Sequence, residues 1–133
     1  EVLVEMRTVA ALRHPALTTV MGSSLDDDGL PLIVMEYMPH GSMYDFLHNQ
    51  TVPSNSAWGM VLPILSDVVS GMSFLHSCTP PVIHGDLKST NVLLDSSFRA
   101  KLVDYGLTQK WRYGLKSSSR SRMSPELLQG GKL

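Results

Sequence analysis

Three oxygen-bearing side chains set the chemical problem. Asp86, Asn91 and Asp104 stand five and thirteen positions apart in a chain of 133 residues. Between the last two run Val92-Leu93-Leu94 and Ala100-Lys101-Leu102-Val103, joined by Asp95-Ser96-Ser97-Phe98-Arg99. Two short apolar runs around a polar turn predict a strand–turn–strand unit. A hairpin of that length brings the chain back to its start, so Asp104 returns beside Asn91. An amide and a carboxylate side by side suit Mg²⁺, which takes oxygen ligands and is usually held by few protein groups plus phosphate. Asp86, earlier in the chain, is left free to accept a proton.

These residues need a scaffold, and the composition supplies one. Hydrophobic residues make up 43% and charged residues 17% of the chain, which indicates a folded core, and the length suits one ordinary domain. A net charge of −1 gives no general attraction to nucleic acid or to an anionic membrane, so neither is expected as a partner. Cys78 is the lone cysteine, which excludes an internal disulfide and points to a reducing compartment. No uninterrupted apolar run approaches the ~18 residues of a membrane span, so no membrane segment is expected. The start, Glu1-Val2-Leu3-Val4-Glu5, already reads as helix interior, so the chain reads as cut from something longer.

The positioning elements follow in order. Val2, Met6, Val9 and Leu12 share one helical face, and His14-Pro15 ends that helix. Leu17 to Leu25 and Leu30 to Met38 read as antiparallel strands around the turn Asp26-Asp27-Asp28-Gly29. Pro39-His40-Gly41-Ser42 breaks the second strand, and Ser42 can cap a short helix from Met43 to His48. Residues 49 to 57 form an exposed connection. A long helix follows from about Ala57 to His76, with Leu65, Val68, Met72 and Leu75 on one face. Pro63 suits only a first turn, so the regular helix is expected to start later than Ala57. Thr79-Pro80-Pro81 ends it, and Val82-Ile83 is expected to form a short strand. The five histidines show neither an i, i+4 pair on a helix nor a cysteine at zinc spacing, so histidine metal binding is not expected.

The run His84-Gly85-Asp86-Leu87-Lys88-Ser89-Thr90-Asn91, followed by Asp104-Tyr105-Gly106, resembles the catalytic and metal-binding loops of the eukaryotic protein kinase family. That family's signatures are His-Arg-Asp-Leu-Lys-x-x-Asn and Asp-Phe-Gly. The resemblance runs from Glu5 to about Leu128. It implies an α+β, protein-kinase-like bilobal fold, incomplete: the end of a small lobe plus the first part of a mainly helical large lobe. Residues 1–38 would be the small-lobe remnant, with a helix like the family's αC and two strands. The hinge would lie at 36–39, and 40–133 would hold the catalytic and activation loops.

The implied activity is transfer of the γ-phosphoryl group of Mg-ATP to serine or threonine hydroxyls of a protein substrate. By resemblance, Asp86 would accept the hydroxyl proton and Lys88 would stabilise the transferred group. Asn91 and Asp104 would hold Mg²⁺. Glu5, read alone a solvated helix residue, would pair with the ATP-binding lysine; that lysine and the glycine-rich loop would precede residue 1. Met35 would limit the back of the adenine pocket, backbone groups from Glu36 to Met38 would hydrogen-bond adenine, and Leu93 would stack under it. Val9, Val20, His84 and Tyr105 would form an apolar column crossing both lobes.

Lys88, Leu12-Arg13-His14-Pro15 and Gly41 to His48 look most like the tyrosine-kinase-like branch of serine/threonine kinases. The second reading is a nucleotide-binding pseudokinase like the kinase-homology domain of receptor guanylate cyclases. Such domains typically lack the acid at Asp86, which is present here. The implied location is the cytoplasm, or the cytoplasmic portion of a larger membrane protein. Residues 1–133 alone are expected neither to fold stably nor to phosphorylate anything.

Three departures from the pattern matter. Gly85 replaces the arginine that clamps a phosphorylated activation loop, Tyr105 replaces Phe, and Met123-Ser124-Pro125-Glu126 follows Arg122 where an aromatic is usual. Lys110 to Arg122 carries five basic residues, no acid, and Ser117, Ser118, Ser119 and Ser121. It reads as a solvated activation loop whose serines are modification sites without being the main switch.

Overall fold

A computed structural model describes residues 9–29, 31–49 and 54–105. Glu5, the basic serine-rich run and Met123 to Glu126 lie outside the described residues.

The first sheet is an antiparallel pair, β1 (Val20–Leu25) and β2 (Pro31–Met35), with Val20 opposite Met35 and Leu25 opposite Pro31. The expected first strand began at Leu17. It starts later because residues 16–18 pair elsewhere. Leu102 N donates to Ala16 O at 2.8 Å and Thr18 N donates to Leu102 O at 2.9 Å, drawing this segment against the second sheet.

Helix α1 (Met43–His48) starts where Ser42 predicts, and does so through a complete capping box. Asp45 N donates to Ser42 Oγ at 3.1 Å, and Ser42 N donates back to the Asp45 carboxylate at 3.2 Å. Two otherwise orphaned donors are satisfied reciprocally. The Ser42 hydroxyl also donates to that carboxylate at 2.7 Å, which holds Asp45 below the usual carboxylate range.

Helix α2 spans Ser54–Ser77 and contains Pro63 beyond its first turn, against the expectation of a start later than Ala57 with Pro63 in the first turn. Proline removes one backbone donor from the ladder. Here the turn that follows is fixed by packing, since Ile64 and Leu75 are fully buried in the core. Tertiary burial outweighs the local penalty. The stretch Gly59–Ser77 is also long and apolar enough to cross a membrane by length and composition, which a search for uninterrupted apolar runs does not register. One face of it packs on the core, burying Ile64 and Leu75, while Leu62, Leu65 and Val69 are exposed; Asp67 in its middle is ion-paired with Arg99. An ion pair at mid-span would be costly in lipid.

A single 3₁₀ turn, Ser89–Asn91, leads into β3 (Val92–Leu94), which pairs antiparallel with β4 (Ala100–Leu102) in the register Val92–Leu102, Leu93–Lys101, Leu94–Ala100. The predicted hairpin is present. Its residues Val92, Leu94, Ala100 and Leu102 join Val9, Leu17, Ile64, Leu75 and Tyr105 in one buried cluster. Helix α2 approaches that cluster at Gly71. A Cβ there would sit 3.0 Å from both Ala16 O and Leu102 Cδ1, so the lack of a side chain permits the contact.

Val82-Ile83 forms no strand among the described residues. Val82 N donates instead to Leu75 O at 2.9 Å, folding the chain back onto the end of α2.

Candidate active site

The loop from His84 to Asn91 is built around a left-handed turn. Gly85 takes φ 73°, a conformation open to glycine at little steric cost. That turn lets Asp86 N reach back to Nδ1 of His84 at 3.4 Å, and His84 itself is buried. Asp86 is not free, as the sequence suggested, but engaged on two sides. Lys88 Nζ lies 2.7 Å from its Oδ2, and Asn91 Nδ2 donates to its backbone oxygen at 2.9 Å and to Oδ2 at 3.2 Å. The cause is local: the 3₁₀ turn after Lys88 swings the Asn91 amide under Asp86, while Lys88 reaches back over two residues.

The hairpin then returns the chain as expected. Val103 N donates to Asn91 O at 3.1 Å, which places the residue before Asp104 in backbone contact with Asn91. Asp104 is exposed and holds φ 61°, a left-handed conformation uncommon for a residue with a side chain. Tyr105 beside it is buried, and its Oη donates to Thr18 O at 2.8 Å. Burial pushes the Tyr105 phenol above its usual pKa. The hydroxyl that distinguishes Tyr105 from the expected Phe therefore has a buried partner. Val9 and Tyr105 share the core cluster and Val20 packs against it.

Does this donor set fit Mg²⁺? The Asn91 amide nitrogen is committed to Asp86, so its oxygen is the atom left to ligate a cation, and Asp104 adds a carboxylate close by along the backbone. Oxygen donors, few in number, are what the ion takes.

The segment after β2, where the resemblance implies a hinge, is tied to the same hairpin. Glu36, just after β2, donates its N–H to Thr19 O at 3.0 Å, and its carboxylate accepts from Thr19 N at 2.7 Å. Lys101 Nζ lies 2.9 and 2.8 Å from the two carboxylate oxygens. Partial burial disfavours the charged carboxylate, but the Lys101 and Thr19 donors outweigh it and hold Glu36 below the usual range. Met38 is buried and accepts from Gly41 N at 3.1 Å. The chain then runs along β3: His40 N donates to Leu94 O at 3.2 Å and Leu94 N to Gly41 O at 2.8 Å, with Ser42 bridged to Leu93. Met35, Glu36, Met38 and Leu93 are thus consecutive stations on one path from β2 to β3.

A third ion pair joins α2 to the hairpin. Asp67 of α2 accepts from Arg99 Nε at 2.9 Å, from a second guanidinium nitrogen, and from Ala100 N at 3.0 Å. The Arg99 hydrogen bonds hold Asp67 below its ordinary range. A cavity of about 530 Å³ opens here between His14, Asp67, Ser70, Asp95, Arg99 and Lys101. It is not lined by Asp86, Asn91 or Asp104, and its two long cations are already paired. The Glu36–Lys101 and Asp67–Arg99 pairs and the Thr18–Tyr105 bond were not anticipated from the sequence, since each joins residues 32 or more apart. Asp45 was missed too, although the Ser42-x-x-Asp45 spacing of a capping box could have found it.

The family model for protein tyrosine and serine/threonine kinases matches residues 1–133, and the chain belongs to that family. It is 37% identical over 94% of its length to the probable serine/threonine-protein kinase drkC of Dictyostelium discoideum. It is 36% identical over 98% to receptor-interacting serine/threonine-protein kinase 2 of Bos taurus, and 40% identical over 92% to serine/threonine-protein kinase PBS1 of Arabidopsis thaliana. The matched segments make up 16%, 24% and 27% of those proteins, so the chain spans under a third of each.

Proposed function

We propose that the protein carrying this segment is a serine/threonine kinase of the tyrosine-kinase-like branch, transferring the γ-phosphoryl group of ATP to protein hydroxyls. The observation that carries the reading is the pair of contacts made by Asn91: the amide of its side chain and its backbone oxygen. The amide nitrogen is held by Asp86, while the backbone oxygen holds the residue before Asp104. One residue thereby links a candidate base to a candidate metal-holding carboxylate.

In this reading the backbone of Glu36 to Met38 receives adenine and Leu93 packs beneath it. Asp86 orients the substrate hydroxyl and takes its proton. Lys88, now paired with Asp86, exchanges that partner for the transferred phosphoryl group. Mg²⁺, held by Asn91 and Asp104, would neutralise charge on the phosphates. Positioning and charge neutralisation provide most of the catalysis in such transfers. Cytoplasmic residence, alone or as the inner part of a membrane protein, follows from the need for ATP.

The test is phosphotransfer by the full-length protein. Asp86→Asn should lower the turnover number about 10²- to 10⁴-fold, the range general-base removal gives, with nucleotide binding retained. Equal turnover in both proteins overturns the reading. A nucleotide-binding pseudokinase is the second reading, favoured by Gly85 and its left-handed turn at the usual arginine position. It requires nucleotide binding without transfer in the native protein.

A further inference from the structure

Tyr105 does more than fill the core. We propose that its hydroxyl is a latch that fixes the conformation of Asp104, making Tyr105 a positioning residue for metal binding; this rests on the reading of Asp104 as a metal-holding carboxylate.

The geometry is a closed ring. Thr18 N and Thr18 Oγ1 both donate to Leu102 O, at 2.9 and 3.0 Å, and Tyr105 Oη donates to Thr18 O at 2.8 Å. The four residues Leu102 to Tyr105 are therefore pinned at both ends to one residue, itself 2% exposed. Asp104 lies inside the pinned segment and holds φ 61°. A residue with a side chain keeps such a conformation only where its surroundings over-determine it. The ring supplies that constraint.

A phenylalanine at 105 would fill the same space without closing the ring. For tyrosine, turning the ring out of the core breaks the bond and leaves the Thr18 carbonyl buried without that donor, a penalty that apolar packing alone does not impose. Thr18 cannot follow the moving ring, because its other two polar groups are held by β4. The latch thus biases the segment toward the state in which Asp104 is presented.

The experiment compares the native full-length protein with Tyr105→Phe, and with Tyr44→Phe as a control that removes an exposed hydroxyl from α1. Amide hydrogen exchange, in the absence of nucleotide and metal, is read on peptides covering 16–18 and 102–105. Tyr105→Phe should exchange about fivefold faster there, the population shift one ordinary buried hydrogen bond sustains, and Tyr44→Phe should match native. The Mg²⁺ concentration giving half-maximal nucleotide binding should rise by a similar factor, with the melting temperature falling by no more than the few degrees that one hydrogen bond accounts for. Unchanged exchange overturns the latch. Faster exchange with unchanged Mg²⁺ dependence overturns the positioning role. Because both measurements need no phosphoryl transfer, an inactive but nucleotide-binding protein would defeat the kinase reading and leave this one standing. A native protein that binds no Mg²⁺–nucleotide defeats both.

Discussion

Lys101 of β4 clasps both carboxylate oxygens of Glu36, joining the first residue after β2 to the strand that leads into Asp104. Both side chains are partly shielded, at 18% and 27% exposed, so the pair lies between a surface and a buried ion pair. Lys101→Met should cost about 1 kcal/mol after allowance for solvent screening. If the hinge receives adenine, it should raise KM for ATP more than it lowers turnover. Glu36→Gln should cost less than Glu36→Ala, because the amide oxygen can still accept from Thr19 N. Urea titration of the full-length variants, with initial rates against ATP, checks both orders.

Asp67→Asn should be the most damaging single change to the hairpin's support. It leaves Arg99 without its charge partner and weakens the bond to Ala100 N, at about 1–3 kcal/mol for a buried charged hydrogen bond. The Asp67 pKa is lowered in the folded state, below the ~3.9 of an unperturbed aspartate. Its contribution is therefore complete above about pH 5 and is lost as pH falls through the folded value. The native and Asp67→Asn proteins should differ most at neutral pH and converge as pH falls through the lowered folded value. Stability curves across pH 2–7 would show it; a constant difference would contradict the assignment.

Gly71→Ala pits helix propensity against space. Alanine gains up to ~1 kcal/mol in a helix interior, yet its Cβ would meet Ala16 O and Leu102 Cδ1 at 3.0 Å. Backbone cannot yield as a flexible side chain can, so a net loss of about 1–2 kcal/mol is expected. Denaturation midpoints decide it; a more stable alanine variant would show that α2 can shift.

Gly85→Ala should destabilise by about 1 kcal/mol, because φ 73° places a Cβ against the following carbonyl. Gly85→Asn should lose less, since asparagine tolerates the left-handed region. Comparing the two separates backbone strain from any effect of bulk in the loop.

Much of this was legible in the sequence for a physical reason: the features that show are local. The Val92–Leu94 and Ala100–Leu102 runs around a polar turn, and Ser42 before a short helix, each declare their structure within a few residues. What failed was long-range competition. Leu17 and Thr18 look like strand residues continuing into β1, yet they pair with β4 more than eighty positions away. Pro63 looks like a boundary, and packing of the turns beyond it overrides that sign. Asp86 is a separate, local case: its role is carried over from the resemblance, which says nothing of Lys88 and Asn91 sharing its carboxylate.

The hairpin of β3 and β4 is gripped along both flanks, by residues 16–18 on one side and 40–42 on the other. One segment leads into β1 and the other into α1. Neither can slide alone without shearing backbone bonds to the same pair of strands, so a displacement of β3 or β4 is transmitted to the start of both elements.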